Sequence, residues 1–401
     1  MNFNHLSIIL HNRNNSFHQL INKNMRRPFR EHHLLQILGS FEEQSLPLDV
    51  FLRNYFRAHT AVGSKDRKEI CEIIYGIIRW RGLLDHLSEK PISWESRFRA
   101  FTKFSQNFYC DPSLPTHIRV SFPKSFYQLL SESLGEEKAF QFCLSCNEPA
   151  PTTVRANLLK TTRNALIESW QNRYKISPCR YSSAGIHFKE KTNFFGMEEF
   201  KNGYFEIQDE ASQLIAELIA IEPGMRFLDF CAGSGGKSLA VAPRLMGRGQ
   251  LFLHDIRPHA LREAKKRLKR AGIQNAQPLL SDSPNKRLLK LKMDWVLVDA
   301  PCTGTGTFRR NPDMKWKFDN QTLPRIVQEQ RQIFGEALTY LKPEGHIVYA
   351  TCSILPQENQ HQAAFFLEQY PLEQVGETFS SFPASGEMDG FFGIVFKKKK
   401  D

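Results

Sequence analysis

The second half of this 401-residue chain alternates short apolar runs with amphipathic stretches, a pattern that few folds other than an open parallel sheet flanked by helices can satisfy. From Ile207 onward the runs are MRFLDF ending at Phe230, QLFLHD ending at Asp255, QPLLSD ending at Asp282, DWVLVD ending at Asp299 and HIVYATCS ending at Ser353. Their length and continuity suit strands covered on both faces. All but the last carry an acidic residue at or next to their end. Ligands of a parallel sheet lie outside the carboxyl ends of its strands, so these carboxylates are expected to line one crevice. The segment from Pro258 to Ala271 supports the pattern. Proline stands in its first turn, Ala260, Leu261, Ala264 and Leu268 make an inward stripe, and Gly272 marks the stop, with its Lys and Arg residues expected to face out.

The first half reads differently. Residues 1–24 are rich in Asn and His with little periodicity, and a disordered leader is expected over 1–33. Ile70, Ile73, Ile74, Ile77 and Ile78 recur at helical spacing behind Ser64, the expected N-cap, so residues 34–147 are read as a helical domain and linker. Over 148–206, PAPTTVRANLLKTT, an amphipathic stretch from Leu166 to Trp170 and GIHFK from Gly185 read as strand, helix, strand, a small α+β unit. Residues 207–401 form the α/β domain.

A net charge of +12 favours a polyanionic partner, because Lys and Arg that neutralise phosphates release condensed counterions. The basic runs MRRPFR, KKRLKR from Lys265 and KRLLKLK from Lys286 are each equally explained as solvated helix faces. No apolar run approaches a membrane span and LSIIL from Leu6 is too short for a secretory signal, so a cytoplasmic protein is expected. Eight scattered cysteines form no dense disulfide framework, which leaves thiols for chemistry. Cys143 and Cys146 form a C-x-x-C without a second pair, and no metal site is expected there.

DFCAGSGGKS, from Asp229 to Ser238, places glycines between a strand and a helix, where missing Cβ atoms let a ligand approach the backbone. It is not the phosphate loop of an NTPase. Asp255, 26 residues beyond Asp229, is placed to accept ribose hydroxyls. Either a dinucleotide or S-adenosylmethionine fits, so these features alone leave a dehydrogenase open. DAPCTGTGTFRRNPDMKW from Asp299 and ATCS from Ala350 each put a cysteine just beyond a strand end. In one parallel sheet Cys302 and Cys352 then face one pocket, which suggests covalent chemistry, whereas Cys231 and Cys71 read as small buried hydrophobes.

These motifs carry a resemblance. GYFEIQDEAS, the loop from Cys231 to Lys237, Asp255, Asp282, DAPC-T-G-T-G, RRNPDMKW, the TCS triplet and DGFFGIVFKK resemble the RsmB/Sun-type RNA 5-methylcytosine methyltransferases. GSKDRKEICEIIYGIIRW, from Gly63, resembles the NusB-like helical domain that precedes the core in the ribosomal branch. The resemblance implies a Rossmann-like S-adenosylmethionine methyltransferase core, a small α+β RNA-binding insert and an all-α NusB-like front domain. It implies Cys352 as the nucleophile toward cytosine C6, Asp299 as the group at N3 and Cys302 as the aid to release. It also implies a cofactor held by Cys231, Ala232, Gly233, Ser234, Gly235, Gly236, Lys237, Asp255, Asp282 and Asp299. The loop departs from the common C-A-x-P-G-G-K by its serine. Ala260 stands where relatives often carry a cofactor-side Arg, with Arg257 and Arg262 as substitutes.

Small-subunit ribosomal RNA is the expected partner, with transfer RNA as the rival, and a monomer without membrane contact is expected. A DNA cytosine methyltransferase would instead use Cys302, and an RNA-binding assembly factor would keep the fold without the activity. Phe308, Trp316 and Phe318 among the basic runs suit either base stacking or a core.

Overall fold

The computed structural model describes residues 27–42, 46–105, 110–319 and 321–400. Residues 1–26, which hold most of the expected leader, lie outside the described residues. The chain divides into two compact units, residues 1–147 with 311–318, and residues 148–310 with 319–401.

The first unit is helical, with segments Arg27–Glu42, Leu48–Ala58, Ser64–Arg79, Arg81–Leu87, Trp94–Thr102, Thr116–Arg119, Lys124–Leu134 and Glu136–Cys146. The isoleucine stripe behaves as expected: Ile70, Ile74, Ile77 and Ile78 are buried, with Ile73 packed against the same cluster. The cap does not. Gly63, in extended conformation, is the N-cap, and Ser64 is the first helical residue with no capping bond. The leader boundary also moves, because the helix from Arg27 sends Leu34, Ile37 and Leu38 into the core, and that apolar stripe orders the turns before residue 34. Residues 311–318, expected within the 207–401 domain, belong instead to this unit. Lys315 is buried there and donates to the carbonyl of Arg79 and to Asn147, both at 2.7 Å, while Trp316 donates to the carbonyl of Ile78. Such distant tethers leave no local trace in sequence.

The second unit holds two sheets. The smaller, of order β2-β3-β1-β4, is antiparallel throughout and consists of β1 (Thr152–Ala156), β2 (Ile176–Pro178), β3 (Gly185–Phe188) and β4 (Phe205–Ile207). Trp170, on the helix Arg163–Trp170 capped by Thr162, is fully buried against Phe188 and Phe205. The strand–helix–strand expectation captures β1, this helix and β3. It omits β2 and β4, which span three residues each and are too short to show a period.

The larger sheet has the order β10-β11-β9-β8-β5-β6-β7. Its strands are β5 (Arg226–Asp229), β6 (Gln250–His254), β7 (Ala276–Leu279), β8 (Met293–Asp299), β9 (Leu341–Thr351), β10 (Leu372–Ser380) and β11 (Phe392–Lys398). β5 to β9 run parallel, while β11 pairs antiparallel with both β9 and β10. One apolar cluster covers each face, built around Phe227, Leu251, Leu253 and Val348 on one side and Leu228, Phe252, Val296 and Ile347 on the other. That is the double burial the continuous apolar runs require. The sequence expectation lacks β10 and β11. β10 is an edge strand whose residues are mostly exposed, so its polar sequence carries no strand signal.

The helix Pro258–Ala271 has the expected buried stripe, and Gly272 caps it with a left-handed φ of 84°. Its basic residues divide. Arg262, Lys265, Lys266 and Lys269 are exposed, but Arg267 and Arg270 turn inward and share the carboxylate of Glu206, with Arg267 also donating to Ser234. The expectation that all face solvent fails because a buried Glu206 demands counter-charges. Among the described residues, no helix is long and apolar enough to cross a membrane.

Candidate active site

The parallel register of β8 on β9 sets Asp299 opposite Ala350, so both strands deliver their following turns to the same edge of the sheet. Cys302 follows one strand end and Cys352 the other. Their sulfurs lie 3.3 Å apart, both partly buried. The backbone between them is close-packed: Gly306 N–H donates to the carbonyl of Cys352 at 2.9 Å, and Gly390 N–H to the carbonyl of Gly306 at 3.0 Å. A Cβ on Gly306 would stand 2.0 Å from the Gly390 carbonyl oxygen, so only glycine allows this approach. The hydrogen bond shared with Cys352, then burial, push the Cys302 thiol well above its ordinary pKa.

Beside the sulfurs, Lys237 at the end of the glycine turn donates to Asp299 at 2.5 Å and lies 5.3 Å from the Phe391 ring centre. Burial opposes its charge, but Asp299 and Asp229 outweigh that and raise its pKa, and Cys352 is also within its electrostatic reach. The turn itself is shaped by backbone. Gly235 has φ 79°, and a Cβ there would meet Leu253 and Ala264 at 3.2 and 3.3 Å. Gly233 N–H donates to Asp255 at 2.8 Å, and Ala232 N–H to the carbonyl of His254 at 2.8 Å. Cys231 is partly exposed and burial raises its thiol pKa. Gly236 accepts at its carbonyl from Arg155.

Asp255 follows β6 directly. Burial would raise its pKa, but bonds from the Arg257 side chain and backbone and from Gly233 hold it below the usual carboxylate value. At the foot of the turn, Asp229 accepts from Ser238 at 2.7 Å through one oxygen while the other is buried without a partner. Burial raises this carboxyl to about 7. Asp282 is exposed and lies beyond the end of β7 at Leu279.

The region 216–396 matches the family model described as 16S rRNA methyltransferase RsmB/F. Over 300 residues the chain is 32% identical to ribosomal RNA small subunit methyltransferase B of Proteus mirabilis, covering 73% of this chain and 66% of the relative. The Vibrio vulnificus enzyme of the same description is 28% identical over 396 residues, 95% of this chain and 86% of that one. The chain belongs to the RsmB/F family of S-adenosylmethionine-dependent RNA methyltransferases. Its fold agrees with the crystal structure of PH0851, which superposes with a TM-score of 0.78 at 20% identity over 94% of this chain and 100% of the other.

A cofactor of that RsmB/F type fits the residues present. Gly233 and Gly236 have room where a Cβ would stand, Asp255 offers a carboxylate whose side-chain partner is the half-exposed Arg257, and one oxygen of Asp229 is a buried acceptor without a donor. At Ala260, the two substitutes separate: Arg257 reaches Asp255, whereas Arg262 is exposed. The aromatics resolve toward the core. Phe308 is 1% exposed, and Trp316 and Phe318, both partly buried, are engaged in the helical unit, where Phe318 stacks on Phe126 at 4.1 Å.

Sequence reasoning missed a polar group under the two cysteine turns. Thr303, Ser353, Gln330 and Glu358 are all buried and bonded to one another. Threonine and serine directly after each cysteine were a legible hint; Gln330, on the helix Thr322–Leu338, offered none.

Proposed function

We propose that this protein transfers a methyl group from S-adenosylmethionine to C5 of a cytosine in small-subunit ribosomal RNA, through a transient bond between Cys352 and C6. The observation that carries the reading is the 3.3 Å approach of Cys302 and Cys352 at adjacent strand ends, beside the Lys237–Asp299 pair. The protein acts as a cytoplasmic monomer, and its positive charge of +12 suits an RNA partner.

Cytosine C5 becomes nucleophilic only after addition at C6, and a thiolate combines the required nucleophilicity with a pKa near neutrality. Cys352 supplies its sulfur electron pair to C6, and the C5–C6 π pair shifts into the ring. Lys237, which donates to Asp299, can pass a proton to that carboxylate, and Asp299, then an acid, hands it to N3 as the negative charge develops on the ring. The bound cofactor supplies an electrophilic methyl group. The backbone from Cys231 to Lys237, with Asp255, Asp282 and Asp299, would hold it. Once C5 has taken the methyl group with its electron pair, solvent water takes the C5 proton, the C–H pair re-forms the C5–C6 double bond, the C6–sulfur bond breaks with its pair on sulfur, and Cys352 leaves as thiolate. Cys302, in contact with that sulfur, assists the release.

Incubating the purified protein with small-subunit ribosomal RNA and the methyl donor, then analysing nucleosides by mass spectrometry, tests this. 5-Methylcytidine is the expected product. Methylation of transfer RNA instead would move the substrate and keep the chemistry, whereas binding to both RNAs without 5-methylcytidine would leave only an assembly factor.

A further inference from the structure

Glu358 is buried to 0% exposure, five residues beyond Ser353. One carboxylate oxygen accepts from the Thr303 backbone N–H at 2.9 Å and from Gln330 Nε2 at 3.0 Å. The other accepts from the hydroxyls of Thr303 and Ser353. Among the described residues no cation pairs with it, and the buried carboxyl group is held by four neutral donors. A buried charge is costly unless its hydrogen bonds are complete, and a network of this kind therefore holds its members to one arrangement.

Three of the four donors come from the residues that follow the two cysteines. Thr303 follows Cys302 and Ser353 follows Cys352. Gln330 adds a second hold on the first turn by donating to the carbonyl of Pro301 at 3.0 Å, and is itself oriented by Gln362 at 2.9 Å. The turns also touch directly, with the hydroxyls of Thr305 and Ser353 3.0 Å apart and Ile354 N–H donating to Thr305 at 3.0 Å. One carboxylate thus spans both strand-end turns.

We propose that Glu358 is a positioning residue: its carboxylate ties the Cys302 turn to the Cys352 turn and sets the distance between the two sulfurs. The inference rests on the proposed roles of those cysteines, but it can be measured apart from them. Reacting geometry tolerates little error, and a displacement of about 1 Å can cost about a hundredfold in rate. Glu358→Gln keeps the shape, removes the charge and puts an NH₂ where one acceptor oxygen stood.

Two readouts on the full-length protein separate the possibilities. The first is methyl transfer to RNA, read as kcat and KM. The second is oxidation by diamide, which takes two hydrogens as the sulfurs of Cys302 and Cys352 join, followed by peptide mass spectrometry. Glu358→Gln is expected to slow the cross-link and lower kcat by about tenfold or more, with KM for the methyl donor unchanged. Thr303→Val and Ser353→Ala should do the same more weakly, and neither should add fully to Glu358→Gln. These two variants carry the test if Glu358→Gln does not fold. A cross-link rate equal to the parent's in folded variants overturns the positioning role, whatever happens to methylation. A slowed cross-link with undiminished methylation supports the positioning and overturns the roles given to the cysteines.

Discussion

Cys143 and Cys146 stand three residues apart on one helix, whereas Cys302 and Cys352 stand 50 apart on separate turns. Spacing alone marks only the first pair as a motif; the second is found by placing each cysteine beyond the end of a parallel strand. Their surroundings reverse that impression. Cys143 and Cys146 are on the buried face of the helix Glu136–Cys146, 0% and 2% exposed, with no carboxylate–lysine pair like that of Asp299 and Lys237 beside them among the described residues. Cys302 and Cys352 remain partly exposed, with the charged pair of Lys237 and Asp299 beside them. A thiol is made useful by access and neighbouring charge rather than by another cysteine nearby in sequence.

The largest effects expected to sharpen this contrast come from the second pair. Cys352→Ala should lower methyl transfer about a thousandfold or more, as loss of a nucleophile does. Cys302→Ala should instead let a protein–RNA adduct accumulate, visible as a shifted band on a denaturing gel. If both variants lose activity equally and neither traps RNA, the division of labour between the thiols is wrong. The first pair should respond only in stability. Cys143→Ser puts a hydroxyl into a fully buried site and should cost about 1–3 kcal/mol in urea unfolding, with kcat unchanged. A lower kcat in the folded variant would break the contrast.

A further expected effect, read only as pH changes, concerns a carboxyl near the second pair. Asp229 rises from 3.8 to about 7, first through burial. The folded state therefore holds this proton more tightly than the unfolded chain. The associated stabilisation is complete below about pH 4 and is lost as pH rises to about 7. Asp229→Asn cannot titrate, so its thermal midpoint should gain on the parent's between pH 5 and pH 8. A constant difference across that range would mean that burial is not what governs this group.

The strand ends were legible because β5, β6 and β8 are continuous apolar runs that stop at carboxylates, and burial on both faces compels such runs. The glycine turn was legible because Gly233 and Gly235 adopt left-handed φ that other residues resist. Where a residue's partner is remote, the sequence was silent or misleading. Arg267 and Arg270 looked like solvent residues until Glu206 supplied a buried charge, and Phe308, which suited either a base or a core, is buried.

By itself, then, the sequence determined the α/β character of residues 207–401, the glycine turn and the two cysteine-bearing turns, because periodicity, backbone conformation and residue chemistry act within a few positions. Only tertiary structure decided that the sulfurs of Cys302 and Cys352 meet at 3.3 Å, that residues 311–318 join the helical unit, and that Glu358 binds two turns at once. Those outcomes depend on which distant groups satisfy one another's hydrogen bonds and charges once water is excluded, and that pairing is written in no local stretch of chain.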